Sequence, residues 1–288
     1  MVTTKSVTFG TVALSDLRPS HLETWVKSMQ DKGLQPTTIR TRFANARNVI
    51  RAAVRDRLMP RDITEAVRLP RTRKASAAMT IPTAEQVGAA IRAADDDFAT
   101  YVAVCAFAGL RRGEASALRV TDIDFLRREI RVHRQVQWTD DAHMEIRPPK
   151  YGSERTVYIP DRLVTMLSEH VRLYRPGDDP DRWLFPGSRD TDMPAHPATI
   201  ARYWRTLRDK VGIEHRLHDL RHFFASGLIA AGCDVVTVQR ALGHSSAAIT
   251  LTTYSHLWPD ANDRTRKAVD GLLDQALGST ADVLRTEG

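Results

Sequence analysis

Apolar residues recur every three to four positions along most of the chain, a spacing typical of amphipathic helices. The first such pattern predicts a helix that begins at Ser20 and ends at Gly33. A second predicted helix begins after Pro36. The predicted inner faces of these two helices comprise Leu22, Trp25, Val26, Met29, Ile39, Phe43, Ala46, Ile50 and Val54.

Beyond residue 83 the pattern is again mainly helical, with one interruption. Residues 128–138 alternate between polar and apolar side chains, which predicts a strand, and residues 154–160 predict a further hairpin arm. The fold class is therefore mainly α with a small antiparallel sheet (α+β). The predicted later helices cover residues 161–174, 197–211, 218–231, 235–242 and 260–277.

A segment with prolines at both ends and small residues in its middle, LPRTRKASAAMTIP, is typical of an interdomain linker. It predicts a first helical domain of residues 1–75, a linker of residues 76–82, and a larger second domain of residues 83–288 that includes a C-terminal tail.

The basic residues are concentrated in the first quarter of the chain. Residues 1–80 carry 15 Lys and Arg against 6 Asp and Glu, whereas the remainder carries 27 against 29, so the whole excess of a +7 chain lies there. One face of the second predicted helix carries four arginines without interspersed acids, which favours phosphate binding over a merely solvated face. The candidate DNA-binding residues, including those of the linker segment, are Arg40, Arg47, Arg51, Arg55, Arg71, Arg73 and Lys74.

Several classes of protein lack their usual signatures here. The sequence has no long apolar run and no signal-peptide pattern, so we expect a cytoplasmic protein without membrane association. Cys105 and Cys233 lie far apart in apolar stretches, which predicts buried thiols rather than a disulfide or a zinc site. Metal-hydrolase motifs and glycine-rich phosphate loops are also missing, and we expect neither a metal nor a cofactor.

Residues able to hold or attack a phosphate are concentrated in four segments, GLRRGE, PPKYGSERT, LHDLRH and LGHSSAAITLTTY. Each residue alone has an ordinary explanation: a surface ion pair, a turn lysine, a helix-capping histidine or a half-buried tyrosine. Their combination and order carry more information. Along the chain they are Arg111 with Glu114, Lys150, His218 with Arg221, His244 and Tyr254.

This order resembles that of the tyrosine recombinases of the phage integrase family. The segments AGLRRGEASALRVTDID, HDLRHFFAS and ALGHSSAAITLTTYSHL are similar to that family's first arginine box, its His-x-x-Arg box and its nucleophile box. The general layout extends the resemblance over about residues 15–277. The resemblance implies a two-domain DNA clamp, in which a small helical core-binding domain and a larger α+β catalytic domain enclose a duplex.

The resemblance also implies a reaction in which DNA strands are cut and rejoined through a 3′-phosphotyrosyl ester, without metal or ATP. A tyrosine attacks the phosphate, two arginines hold its oxygens, and a lysine protonates the leaving 5′ oxygen. We expect the tyrosine proton to pass to His218, and we interpret His222 as a structural residue. The implied catalytic set is Arg111, Lys150, His218, Arg221, His244 and the nucleophile Tyr254, with Glu114 bracing the first arginine.

The implied partner is double-stranded DNA at attachment or core sites, bound by a homotetramer on synapsed sites. The C-terminal segment past PDANDRTRKAVDGLLDQAL resembles the part that family members dock onto a neighbouring protomer. Only about 15 residues precede the first predicted helix, whereas many phage integrases carry a further N-terminal domain. The requirement for an excisionase or a DNA-bending host factor is therefore open. The expected role is integration or excision of a phage or other mobile element.

Two alternatives remain. A type IB topoisomerase uses a similar catalytic set and would act on DNA without a partner site. A non-catalytic DNA-binding regulator of the same fold would be unaffected by the substitution Tyr254→Phe, which should abolish cleavage by a recombinase.

Overall fold

In a computed structural model the protein is described at residues 12–71, 80–138, 143–188, 190–258 and 261–277. The chain divides into two compact units, Met1–Met79 and Thr80–Gly288. Of the predicted linker, residues 76–79 lie outside the described residues, as does the tail after residue 277.

The first unit contains helices α1 (Pro19–Asp31) and α2 (Pro36–Arg55). Helix α1 begins before the predicted Ser20, because Pro19 suits a first turn in which a backbone N–H would have no partner. The backbone N–H of Arg18 donates to Nδ1 of His21, which closes this end of the helix. The two helices and the segment after α2 bury Leu17, Leu22, Val26, Met29, Ile39, Phe43, Ile50, Ala53, Met59, Ile63 and Val67.

The second unit is mainly helical, and its centre is α4 (Asp96–Phe107), whose middle residues are almost completely buried. Three later helices, α6, α7 and α9, have the predicted bounds. The described helices are α3 (Ala84–Ala93), α4 (Asp96–Phe107), α5 (Arg112–Ser116), α6 (Asp161–Tyr174), α7 (Pro197–Val211), α8 (Asp219–Ala230), α9 (Val235–Leu242), α10 (Ala247–Tyr254) and α11 (Ala261–Leu277).

Within the described residues the strands form two small antiparallel sheets rather than one. The first has the order β1-β2-β5, and the second pairs β3 with β4. The single strand predicted at residues 128–138 is therefore wrong, because Gln135 and Val136 are both buried and the alternation breaks between β2 and β3. The strand bounds are β1 Ile123–Asp124, β2 Glu129–Val132, β3 Gln135–Trp138, β4 Met144–Arg147 and β5 Arg155–Tyr158.

The described chain confirms the α+β fold class but adds a helix that periodicity did not predict. Helix α10 has only eight residues, and two of its apolar side chains, Ile249 and Leu251, are exposed. A helix without one clear apolar face gives no amphipathic signal. None of the helices in the described ranges combines the length and apolar character that a bilayer span requires.

Candidate active site

A cavity of about 570 Å³ lies at the surface of the second unit, and two of the predicted cationic residues reach it from distant segments. Arg111 precedes α5, and Lys150 lies between β4 and β5. The cavity is also lined by His218, at the start of α8. These three residues are more than 30 positions apart along the chain, and the fold brings them to one opening.

Arg111 is held in place by Glu114 at both its side chain and its backbone. Nη1 of Arg111 donates to Oε1 of Glu114 at 2.6 Å, and the Arg111 backbone N–H donates to Oε2 at 3.0 Å. The second contact also caps the first turn of α5. Since the carboxylate is buried, the predicted bracing of Arg111 by Glu114 has a geometric basis in this turn.

Arg155 of β5 was missed by the sequence analysis, although it completes the same cluster. Its side chain is 5% exposed, and Nη2 donates to Oε2 of Glu114 at 2.9 Å. Its Nε donates to the carbonyl of Ala241 at 2.9 Å. Burial opposes ionisation of Glu114, but Arg155, followed by Arg111 and Arg221, lowers its pKa to about 2. Nothing in the sequence around Arg155 distinguishes it from an ordinary surface arginine.

Arg221 lies on α8 and is almost fully buried. Its Nη1 donates to the carbonyl of Gly109, and its Nη2 donates to the carbonyl of Leu242. Burial, followed by the charge of Arg111, lowers its pKa to about 9, which still leaves the guanidinium protonated at neutral pH.

Gly109 permits this arrangement. It adopts a φ of +62°, and a Cβ at this position would lie 2.3 Å from Cδ1 of Phe224. Only glycine tolerates both the backbone conformation and the contact with an aromatic ring of α8. The turn that leads into Arg111 therefore packs directly on the helix that carries Arg221.

The two arginines meet at the segment that follows α9. Nη2 of Arg111 donates to the carbonyl of Gly243 at 3.4 Å, next to the Leu242 carbonyl that Arg221 binds. His244 follows directly. Nδ1 of His244 and the hydroxyl of Thr250 are hydrogen-bonded at 2.9 Å. Burial and the nearby arginines lower the pKa of His244 to about 4.

Tyr254 ends α10 and is buried, with 1% of its surface exposed. Its ring lies parallel to that of His244, with centroids 6.4 Å apart. Its hydroxyl is hydrogen-bonded to Nδ1 of His222 at 2.7 Å. Burial raises the pKa of Tyr254 to about 12, although Arg221 and Arg111 favour the phenolate. Deprotonation at neutral pH therefore needs a proton acceptor.

The two histidines at the beginning of α8, the N-cap His218 and His222 in the first turns, take different positions. His218 lines the cavity, and its ring centroid is 5.2 Å from that of His222. Desolvation, His222 and Arg221 lower the pKa of His218 to about 4. Within the described residues, the imidazole hydrogen-bonded to the tyrosine hydroxyl is that of His222, although the sequence favours a structural role for this residue. The proton-acceptor role expected of His218 stays a prediction.

Lys150 is exposed at the edge of the cavity, in a short 3-10 turn (Lys150–Gly152). The hairpin arm predicted at residues 154–160 is strand β5, which pairs with β2 and not with the preceding β4. Lys150 therefore lies in a connection between sheets, and its role as an acid stays a prediction.

The basic stripe of α2, defined as Arg40, Arg47, Arg51 and Arg55, has internal partners at all four positions. Nε of Arg51 donates to Oδ2 of Asp62 at 2.9 Å, and Arg47 lies 5.3 Å above the ring of Phe43. The other two members contact the carbonyl of Pro70 and the carboxylate of Asp56, respectively. Arg71 is exposed, whereas Arg73 and Lys74 lie outside the described residues.

Such partners do not exclude phosphate binding, because exposed ion pairs contribute only about 0–1 kcal/mol. A phosphate can replace them at little cost.

The described part of the chain contains no group of three His, Cys, Asp or Glu side chains close enough to hold a metal ion. Cys105 is buried, as predicted, and Cys233 is half-buried.

Comparison with known proteins gives the family of this chain. A family model described as the phage integrase family matches residues 79–260, which is more than half of the chain. The chain belongs to the phage integrase family. It is therefore a tyrosine recombinase, a class of enzyme that cleaves and rejoins DNA strands at specific sites.

Two curated relatives differ in how much of their length is matched. The chain is 28% identical over 259 residues to the ICEBs1 integrase of Bacillus subtilis, an alignment that covers 86% of this chain and 69% of the relative. It is 32% identical over 171 residues to a XerC-like tyrosine recombinase of Caldanaerobacter subterraneus, covering 52% of this chain and 43% of the relative.

Among solved structures, the Tn1549 transposon integrase in complex with transposon right end DNA superposes with a TM-score of 0.73 at 20% identity. The superposition covers 90% of this chain and 86% of that one. At this identity the comparison shows that this phage integrase family member and the Tn1549 integrase share a fold.

Proposed function

We propose that this chain is a site-specific integrase that cleaves DNA with Tyr254 and holds the strand end as a 3′-phosphotyrosyl ester. The observation that carries this proposal is the meeting of two guanidiniums at one loop. Arg111 and Arg221 donate to adjacent backbone carbonyls, directly before His244. Their positive charges also act on Tyr254 and favour its phenolate form. Fixed cations beside a buried phenol are suited to an attack on a phosphodiester.

The arginines would stabilise the charge that develops on the non-bridging phosphate oxygens. Both are restrained before DNA arrives, Arg111 by Glu114 and Arg221 by two carbonyls, so little reorganisation is needed at the moment of reaction. Two guanidiniums supply the positive charge that a divalent ion supplies in other phosphoryl-transfer enzymes. The reaction is therefore proposed to need neither metal nor ATP.

Lys150 would protonate the leaving 5′ oxygen, and His244 would support the phosphate. Lys150 is exposed at the cavity that Arg111 and His218 also line, which gives its side chain access to a bound strand. His244 is adjacent to the loop where both arginines meet. These two roles come from the family resemblance and are supported by position.

Double-stranded DNA is the proposed partner, and the stripe of α2 is proposed to contact its backbone. Phosphate contacts of this kind position an enzyme without reading sequence. Phage or other mobile-element DNA is the proposed context, with accessory factors such as an excisionase or a host bending protein as further partners.

A homotetramer is the proposed working assembly. In the described residues, helix α11 has exposed apolar side chains that a neighbouring protomer would cover, including Val269, Leu272, Leu273 and Leu277. Deletion of residues 278–288 should reduce tetramer yield and recombination. Unchanged yield would contradict a docking role for that segment.

The test of the proposed function is covalent trapping. Purified protein is mixed with sheared genomic DNA, including candidate phage DNA, in EDTA, and the reaction is stopped with SDS. DNA bound to protein is then sequenced beside a Tyr254→Phe control. A 3′-linked, Tyr254-dependent adduct at one dominant sequence is expected. Scattered adducts would favour a topoisomerase, and binding without any adduct would favour a regulator.

A further inference from the structure

His222 of α8 contacts the reacting atom of the proposed nucleophile. Its Nδ1 lies 2.7 Å from the Tyr254 hydroxyl oxygen, and the two rings meet at 64° with centroids 5.6 Å apart. When the imidazole is neutral and carries its proton on Nε2, the hydroxyl donates to Nδ1. This is the geometry required of a general base, which must lie within about 2.6–3.2 Å of the proton-bearing atom.

The surroundings of His222 favour a neutral imidazole that can accept a proton. Burial lowers its pKa, Asp219 opposes this shift, and Arg221 and Arg216 add to it. The buried Asp219 carboxylate would stabilise the imidazolium once it forms. The charged or titratable groups around this ring are Asp219 and Arg221 on α8, the N-cap His218, Arg216 in the preceding turn, His244 in the loop before α10, and Tyr254 at the end of α10.

We propose that His222 is the residue that accepts the hydroxyl proton of Tyr254 as the tyrosine attacks DNA, an inference that rests on the proposed function. The Tyr254 oxygen forms a bond to the scissile phosphorus while its O–H bond breaks, and the proton passes to Nδ1 of His222. The bond between phosphorus and the 5′ oxygen breaks, and that oxygen takes a proton from the acid, proposed to be Lys150. Reversal of the same transfers rejoins the strand.

Two other imidazoles in the site are engaged differently. Nδ1 of His244 is bonded to Thr250, and its ring lies parallel to Tyr254. His218 lines the cavity, and its described ring contact is to His222. His218 is thereby available to the phosphate, while His222 faces the phenol.

The experiment compares the wild-type chain with His222→Gln and His222→Ala in single-turnover cleavage. The substrate is a duplex carrying the sequence recovered by covalent trapping. Glutamine keeps an oxygen that can accept the Tyr254 hydrogen bond but cannot take the proton. We expect DNA binding near wild type and a cleavage rate lower by about 10²-fold. Added imidazole should partly restore His222→Ala.

The pH profile separates proton transfer from positioning. The wild-type rate should rise with pH as His222 loses its proton and then level off, and this inflection should be missing in His222→Gln. The matched control is His256→Gln, which removes an exposed imidazole two residues after Tyr254 and should cleave like wild type.

Wild-type cleavage by His222→Gln at every pH would overturn the inference, since the histidine would then only hold the tyrosine. This result is distinguishable from failure of the proposed function. In that case, the wild-type chain itself would form no Tyr254-dependent adduct.

Discussion

The arginines of the active site and those of helix α2 have the same side chain in opposite environments. Arg221 is 2% exposed and is held by two backbone carbonyls. The side chain of Arg51 is 56% exposed and pairs with a carboxylate at the surface. The first guanidinium is fixed before a ligand arrives, whereas the second can exchange its partner. Buried arginines thus hold their guanidiniums in fixed positions, whereas exposed arginines attract a negatively charged partner through an interaction that salt weakens.

The comparison predicts the largest effect at Arg221. Lysine keeps the charge but cannot reach both carbonyls in a planar fork, so Arg221→Lys should slow single-turnover cleavage by about 10²–10³-fold. The matched control is Arg131→Lys on the exposed face of β2, which should cleave like wild type. Equal rates for the two variants would show that the two hydrogen bonds of the Arg221 guanidinium are irrelevant to cleavage.

The second prediction concerns the carboxylate that holds Arg111 and Arg155. The pKa of Glu114 is lowered from 4.5 to about 2 on folding, so the ionised group stabilises the fold at neutral pH by about 3 kcal/mol. This contribution is present above about pH 4.5 and is lost as pH falls towards 2. Urea unfolding of Glu114→Gln should therefore differ from wild type most at pH 7 and converge with it in acid. A constant difference across that range would contradict the linkage.

The third prediction uses two glycines with similar backbone angles. Gly243 (φ +62°) and Gly212 (φ +70°) both end helices, but only a Cβ at Gly243 meets neighbours, at 3.0 Å from Arg155 and Ser153. Substitution of either by alanine should cost about 1–2 kcal/mol of unfolding free energy through the backbone. Only Gly243→Ala should also lower the cleavage rate, since it displaces Arg155 from Glu114. Equal activity in the two variants would exclude a role for this contact.

The smallest effect is expected in the stripe of α2. Replacement of Arg47 and Arg51 by glutamine should weaken binding to all DNA and flatten the log–log salt dependence by about 0.9 per lost phosphate contact. Arg42→Gln, on a different face of the same helix, is the control. If the salt slope is the same for both proteins, the stripe is only solvated.

The sequence predicted the long helices because their apolar periodicity reflects burial along a single face. It failed at α10, whose eight residues lack such a face, and at β2 and β3, where two short strands in different sheets follow each other. The candidate residues were recognisable by order along the chain.

Arg155 and His222 were not recognised as part of the cluster, because their importance depends on contacts made in space. The Arg155 side chain reaches Glu114, 41 positions earlier, and His222 reaches Tyr254, 32 positions later. Local patterns contain no record of such pairs.

The hydrogen bond from Arg111 to the Gly243 carbonyl joins residues 132 positions apart, which has a consequence for the growing chain. Contacts of such sequence separation form late, because a long loop must close before they contribute. While residue 243 is still unsynthesised on the ribosome, the chain already has Arg111 and Glu114 but lacks the Gly243 carbonyl to which Arg111 donates. The chain therefore becomes able to cleave DNA only after the segment that contains Gly243 and Tyr254 has folded.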